Sequence, residues 1–126
     1  MLPVTWQRCD EANKESRMII YVDIDGTICS QEDSKEYNLA EPDYCRIDKI
    51  NKLYEKGHTI HYWTARGTRS GINWTDVTVS QLKQWGCKYH NLTVGDKPHF
   101  DMYICDKSVN ADEWFGNGMK MLEPKN

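Results

Sequence analysis

Met18-Ile19-Ile20-Tyr21-Val22-Asp23-Ile24-Asp25-Gly26-Thr27 is the stretch on which the reading of the whole chain turns. Met18 to Val22 is a short continuous apolar run rich in β-branched and aromatic residues. Such a run suits a strand buried on both faces. The two carboxylates that follow are two residues apart, so at a strand end they project to the same side. Paired acids repel one another unless a cation lies between them, and a hard divalent ion with oxygen ligands, most naturally Mg²⁺, relieves that repulsion. Gly26 permits a tight turn and close approach of backbone to a ligand. Thr27 adds a hydroxyl and a main-chain N–H. A bare Asp-x-Asp would read as a turn; the full Asp-x-Asp-Gly-Thr behind an apolar strand is far more specific.

Outward from this point the chain alternates strands and helices. Residues 29–42 are polar, end in Pro42 and read as a loop too short to be a cap domain. Asp43 to Lys56 carries Tyr44, Ile47, Ile50, Leu53 and Tyr54 at helical spacing, started by Pro42-Asp43 and stopped by Gly57. His58 to Trp63 reads as a second strand, leading into Thr64-Ala65-Arg66. A Gly- and Ser-containing loop over 67–73 precedes a second helix, Thr75 to Trp85, with Val79, Leu82 and Trp85 as its buried stripe. Tyr89 to Val94 and Met102 to Cys105 read as further short strands. Ser108 is the expected cap of a last helix holding Ala111, Trp114 and Phe115. The alternation predicts an α/β fold: a three-layer, Rossmann-like parallel sheet with helices on both faces and no cap domain. Asp23, Asp25, Thr64 and Asp106 then fall at the carboxyl ends of strands, where such sheets bind ligands.

At 126 residues the chain suits one domain, expected over 18–126, with residues 1–17 a polar N-terminal arm or extension. Its formal charge of −3 gives no basic excess, which argues against nucleic acid as a partner. No apolar run approaches the roughly 20 residues that span a bilayer, and no signal-peptide pattern opens the chain. Five cysteines without Cys-x-x-Cys spacing point to reduced thiols in a cytoplasmic protein rather than disulfides or zinc. The four histidines share no ligand spacing. His99, near Lys97, reads as a surface residue before a substrate contact.

The run Ile19-Ile-Tyr-Val-Asp-Ile-Asp-Gly-Thr-Ile28 resembles the first motif of the haloacid dehalogenase-like superfamily, most of whose members are phosphatases. The resemblance covers about residues 18–110 and implies a nucleophilic Asp23 that accepts phosphate. It implies that Asp25 is the general acid/base and also holds Mg²⁺ through its main-chain carbonyl. Thr64, closing His61-Tyr-Trp-Thr64, is implied to bond a phosphoryl oxygen, and Lys97 in Gly95-Asp-Lys-Pro98 to neutralise phosphate and nucleophile. Asp106 is implied to join Asp23 and Asp25 on the metal. Gly26, Thr27, Ala65 and Arg66 are expected to bind substrate, with Arg66 clamping an anionic group and Arg69 a weaker candidate. The closest likeness is to small capless members with Trp-Thr-Ala-Arg-Gly after the second strand, here Trp63 to Gly67. Two departures stand out: Asp96 is inserted beside Lys97, and Cys105 replaces one of two adjacent acids.

The function so implied is a Mg²⁺-dependent phosphatase acting through an aspartyl-phosphate on a small sugar phosphate or related metabolite. Loops 29–42 and 67–74, or a neighbouring subunit of a homo-oligomer, would exclude water. Two alternatives stay open. One is a degenerate fold that binds without turnover. The other, more distant, is a receiver-type phosphoacceptor, which needs an acid closing a middle strand; the mid-chain acid Asp76 falls at a helix start instead.

Overall fold

The computed structural model describes residues 17–33, 35–98 and 100–119. The expected N-terminal arm, Arg17 apart, and His99 lie outside them. The elements are β1 (Ile19–Val22), a 3-10 turn (Tyr37–Leu39), α1 (Tyr44–Glu55), β2 (Thr59–Thr64), α2 (Thr75–Gln84), β3 (Asn91–Val94) and α3 (Ala111–Met119).

Among the described residues the sheet has three parallel strands in the order β1-β2-β3. Val22 lies opposite Tyr62, and Thr64 opposite Val94. All three carboxyl ends therefore open on one edge of the molecule. This is the expected α/β, Rossmann-like parallel sheet. With strands in consecutive order, the usual right-handed crossover puts α1 and α2 on the same face, not one on each face as the alternation alone suggests. Burial agrees: Val22, Ile60, Tyr62 and Thr64 are buried, with Leu82 of α2 and Ile47 and Ile50 of α1 in the same core. On the opposite face Ile19 is 72% and Tyr21 55% exposed, so β1 is not the doubly buried strand its composition predicts. Tyr21 there stacks on His61 with ring centroids 4.3 Å apart and meets Trp63 edge-on. Aromatic pairing takes the place of burial on that face.

Each helix has a local cause. The Asp43 carboxylate accepts the Arg46 N–H at 3.2 Å, capping α1 as read. Asn73 Oδ1 accepts the Thr75 N–H at the start of α2. α3 is capped by Asn110, whose Oδ1 accepts the N–H groups of Asp112 and Glu113, and not by Ser108, whose hydroxyl donates to the Cys105 carbonyl. Asn110 precedes the first helical residue, the usual place for such a cap, whereas Ser108 is too far upstream. Phe115 of α3 is buried, and Arg46 lies 4.5 Å from its ring centroid while bonding Asp112 at 2.9 Å.

Two further expectations are corrected. Met102 to Cys105 forms no strand; Met102, Tyr103 and Ile104 are 73%, 59% and 87% exposed. A run this short holds strand geometry only against a paired neighbour, and among the described residues it has none. The α2 stripe is also different: Val79 is exposed, and Thr78 and Gln81 are buried beside Leu82. Polar side chains face inward because a buried cation needs them, as the site makes plain.

Candidate active site

The carboxyl ends of the strands border a cleft of about 340 Å³. Its lining includes Asp23, Asp25, Thr64, Ala65, Arg66 and Lys97, together with Gln31, Tyr37, Gly67, Arg69, Ser70 and Phe100. A second hollow of about 400 Å³, between the 38–42 loop and α2, has Glu41 as its only ionisable acid and no cation, so the chemistry belongs to the first.

Asp23 follows β1 directly, and Lys97 reaches it from the loop after β3, Nζ to Oδ1 3.3 Å. The ammonium also lies 5.4 Å from the Trp63 ring centroid and 5.9 Å from that of Phe100. Partial loss of solvent pushes the Asp23 carboxyl up from its ordinary value, although its side chain keeps 42% exposure, and Lys97 only partly offsets this. Asp25 adds a smaller push in the same direction. Thr64 is buried at the end of β2, its hydroxyl accepting the Arg66 N–H at 3.2 Å.

Arg66 is the most deeply engaged side chain of the site. Its Nε and Nη2 donate to the two oxygens of Asp25 at 2.9 and 2.8 Å, a two-pronged pair with the Arg66 side chain 0% and Asp25 9% exposed. Nη1 donates to Thr78 Oγ1 at 3.0 Å and Gln81 Oε1 at 2.6 Å. Gln81 in turn donates to the Tyr37 carbonyl at 2.8 Å, and the Tyr37 ring covers the guanidinium. Thr78, Gln81 and Tyr37 are the site residues that the sequence reading misses. The available signal was the pair Thr78 and Gln81, three apart on one helix face.

Gly26 and Thr27 are not on the cleft. The Gly26 N–H donates to the Cys29 carbonyl and the Thr27 N–H to the Ile24 carbonyl, so both serve the turn that carries Asp25. The Thr27 carbonyl accepts from Arg46. Asp106 is also apart: its side chain is 85% exposed and pairs at 3.7 Å with its neighbour Lys107. With no strand over 102–105, nothing carries it to the carboxyl edge. Among the described residues no three acidic, Cys or His side chains gather as a metal cage. Asp23 lines the cleft; the Asp25 carboxylate pairs with Arg66, which leaves the Asp25 main-chain carbonyl as the atom expected to meet Mg²⁺; Asp106 is not among the residues that line the cleft.

The loop after β2 is held by Gly67, with φ +86°. A Cβ there would run into the Ile72 carbonyl oxygen. Gly67→Ala is therefore expected to lower stability by more than about 1 kcal/mol, seen as a lower urea midpoint. An unchanged midpoint would mean the loop takes another course in solution.

The fold has a known counterpart. The chain is similar to the crystal structure of a structural-genomics target from Vibrio cholerae, with a TM-score of 0.69, covering 84% of this chain and 93% of that one at 22% identity. At that identity the likeness defines the class, a Rossmann-like α/β protein. No protein-family model and no curated protein sequence matches the chain. Among the described residues, no helix is long and apolar enough to cross a membrane.

Proposed function

We propose that the protein is a phosphatase acting on a small phosphorylated metabolite through an aspartyl-phosphate on Asp23. The observation that carries the reading is the Asp23–Lys97 pair at 3.3 Å on the floor of a strand-end cleft, with buried Thr64 beside it on β2. A carboxylate oxygen can attack phosphorus there while the ammonium offsets charge on the phosphoryl oxygens.

In the first half-reaction an Asp23 oxygen bonds to phosphorus as the ester P–O bond breaks, and the leaving oxygen takes the proton of a neutral Asp25 carboxyl, which becomes the carboxylate that pairs with Arg66. In the second, a water oxygen bonds to phosphorus, the bond to Asp23 breaks, and the water proton passes to Asp25. Hydrolysis of phosphate monoesters needs acceleration of up to about 10²¹-fold, so placed positive charge is central. Mg²⁺ is the expected further source of that charge, with the Asp23 carboxylate the one expected ligand side chain at the cleft floor that is not taken by Arg66.

Purified protein with Mg²⁺ is expected to release phosphate from 4-nitrophenyl phosphate, and EDTA to abolish release. Turnover persisting in EDTA would remove the metal from the reading and leave the Asp23 chemistry. Failure on a broad panel of phosphorylated metabolites by folded protein would defeat the reading itself. A second reading, a binding module without turnover, is favoured by the absence of Asp106 from the cleft lining and the engagement of Asp25 with Arg66. Retained binding of inorganic phosphate with no hydrolysis would single it out.

A further inference from the structure

An arginine facing a phosphate cleft is ordinarily assigned to the phosphate. Arg66 has no donor to give. Its five N–H groups go to the two oxygens of Asp25, to Thr78, to Gln81 and, as a long contact of 4.0 Å, to Cys29 Sγ. Its side chain is 0% exposed.

From this geometry we infer that Arg66 is a positioning residue for Asp25, and that α2 sets that position through Thr78 and Gln81. This rests on the phosphatase reading, in which Asp25 moves the proton. The terminal torsion of an aspartate is soft and broad. Two parallel N–H···O bonds from a planar guanidinium fix it and the plane of the carboxylate. The guanidinium is fixed in turn on its far side, where Nη1 meets a hydroxyl and an amide three residues apart on α2. Gln81 spans the gap to the Tyr37 carbonyl, so the 37–39 turn is tied to the same frame. The free oxygen lone pairs of Asp25 are then presented to the cleft in one orientation. A group misplaced by 1 Å can lose about 10²-fold in rate, so a carboxylate released from this frame handles protons poorly while substrate binding is untouched.

The test uses full-length protein carrying Gln81→Leu or, as the milder change, Thr78→Val. Each removes one prop of Arg66 and keeps the Asp25–Arg66 pair. The probes are 4-nitrophenyl phosphate, whose leaving oxygen departs with little proton help, and ethyl phosphate, whose leaving oxygen needs a proton. For Gln81→Leu, kcat on ethyl phosphate is expected to fall about tenfold or more, with KM within about twofold and a smaller loss on the nitrophenyl ester. Thr78→Val follows the same pattern more weakly. A raised KM at unchanged kcat would make Arg66 a substrate ligand and overturn the inference. So would equal losses on the two esters, the mark of a structural role alone. Loss of the phosphatase reading looks different: wild type would turn over neither ester, or Asp23→Asn would turn them over as well as wild type.

Discussion

Replacing Arg66 by methionine is expected to lower the folding free energy by about 3–5 kcal/mol, because it removes one partner of a buried ion pair and leaves the other. Three groups lose their partner at once. Asp25 keeps a charge at a side chain 9% exposed, while the Thr78 hydroxyl and the Gln81 carbonyl lose their donor. A domain of this size has a total stability of about 5–15 kcal/mol, so the loss takes a large share of that reserve. Urea denaturation followed by tryptophan fluorescence measures it directly. Adding Asp25→Leu should recover a good part of the loss, since a well-packed apolar pair can match a buried ionic one. A loss below about 1 kcal/mol is the figure for a solvent-exposed pair and would mean that water reaches Arg66 in solution.

Asp23→Asn is expected to cut turnover by about 10⁴-fold or more, as loss of a covalent nucleophile does, while raising stability at neutral pH. The two effects share one cause. The fold pushes the Asp23 carboxyl above its ordinary range, chiefly by withdrawing solvent from it. The charged form is thus less favourable folded than unfolded. The stabilisation tied to protonated Asp23 is complete below the unfolded pKa and is lost as pH rises through the folded one. At pH 7 wild type carries that cost and the asparagine variant does not. The variant should therefore show the higher urea midpoint at pH 7, with the gap closing as pH falls through the carboxylate range. Retained turnover would dismiss Asp23 as nucleophile. A lower midpoint at pH 7 would show that the Lys97 pair outweighs desolvation.

Much of this arrangement is legible in the sequence where local signals and burial agree. Ile47 and Ile50 at helical spacing, with Asp43 before them and Gly57 after, mark α1 to within a residue at each end. Asp23, Thr64 and Lys97 are brought together because each follows a parallel strand, and parallel strands share an end. The reading fails where a residue's partner is set by tertiary contact. Thr78 and Gln81 look like surface positions of α2, and Val79 looks like core, until Arg66 is placed beneath the helix. Met102 to Ile104 has strand composition, yet composition alone supplies no partner strand. Asp106, legible only through that strand, is misplaced with it. Gly26 and Thr27 sit in the right motif, but their N–H groups are spent inside the turn they build.

The four side chains Asp25, Arg66, Thr78 and Gln81 share one set of hydrogen bonds. Once Arg66 is gone, a further change at Thr78 removes no bond of this set, and one at Gln81 removes only its bond to the Tyr37 carbonyl. Effects at these positions will not add. For sequences that drift apart under selection, this is a ratchet. A first change at Arg66 is costly on its own, while later changes at the other three become cheap or even favourable. Related chains should therefore hold these positions as a block or exchange them as a block, and mixed combinations should be scarce.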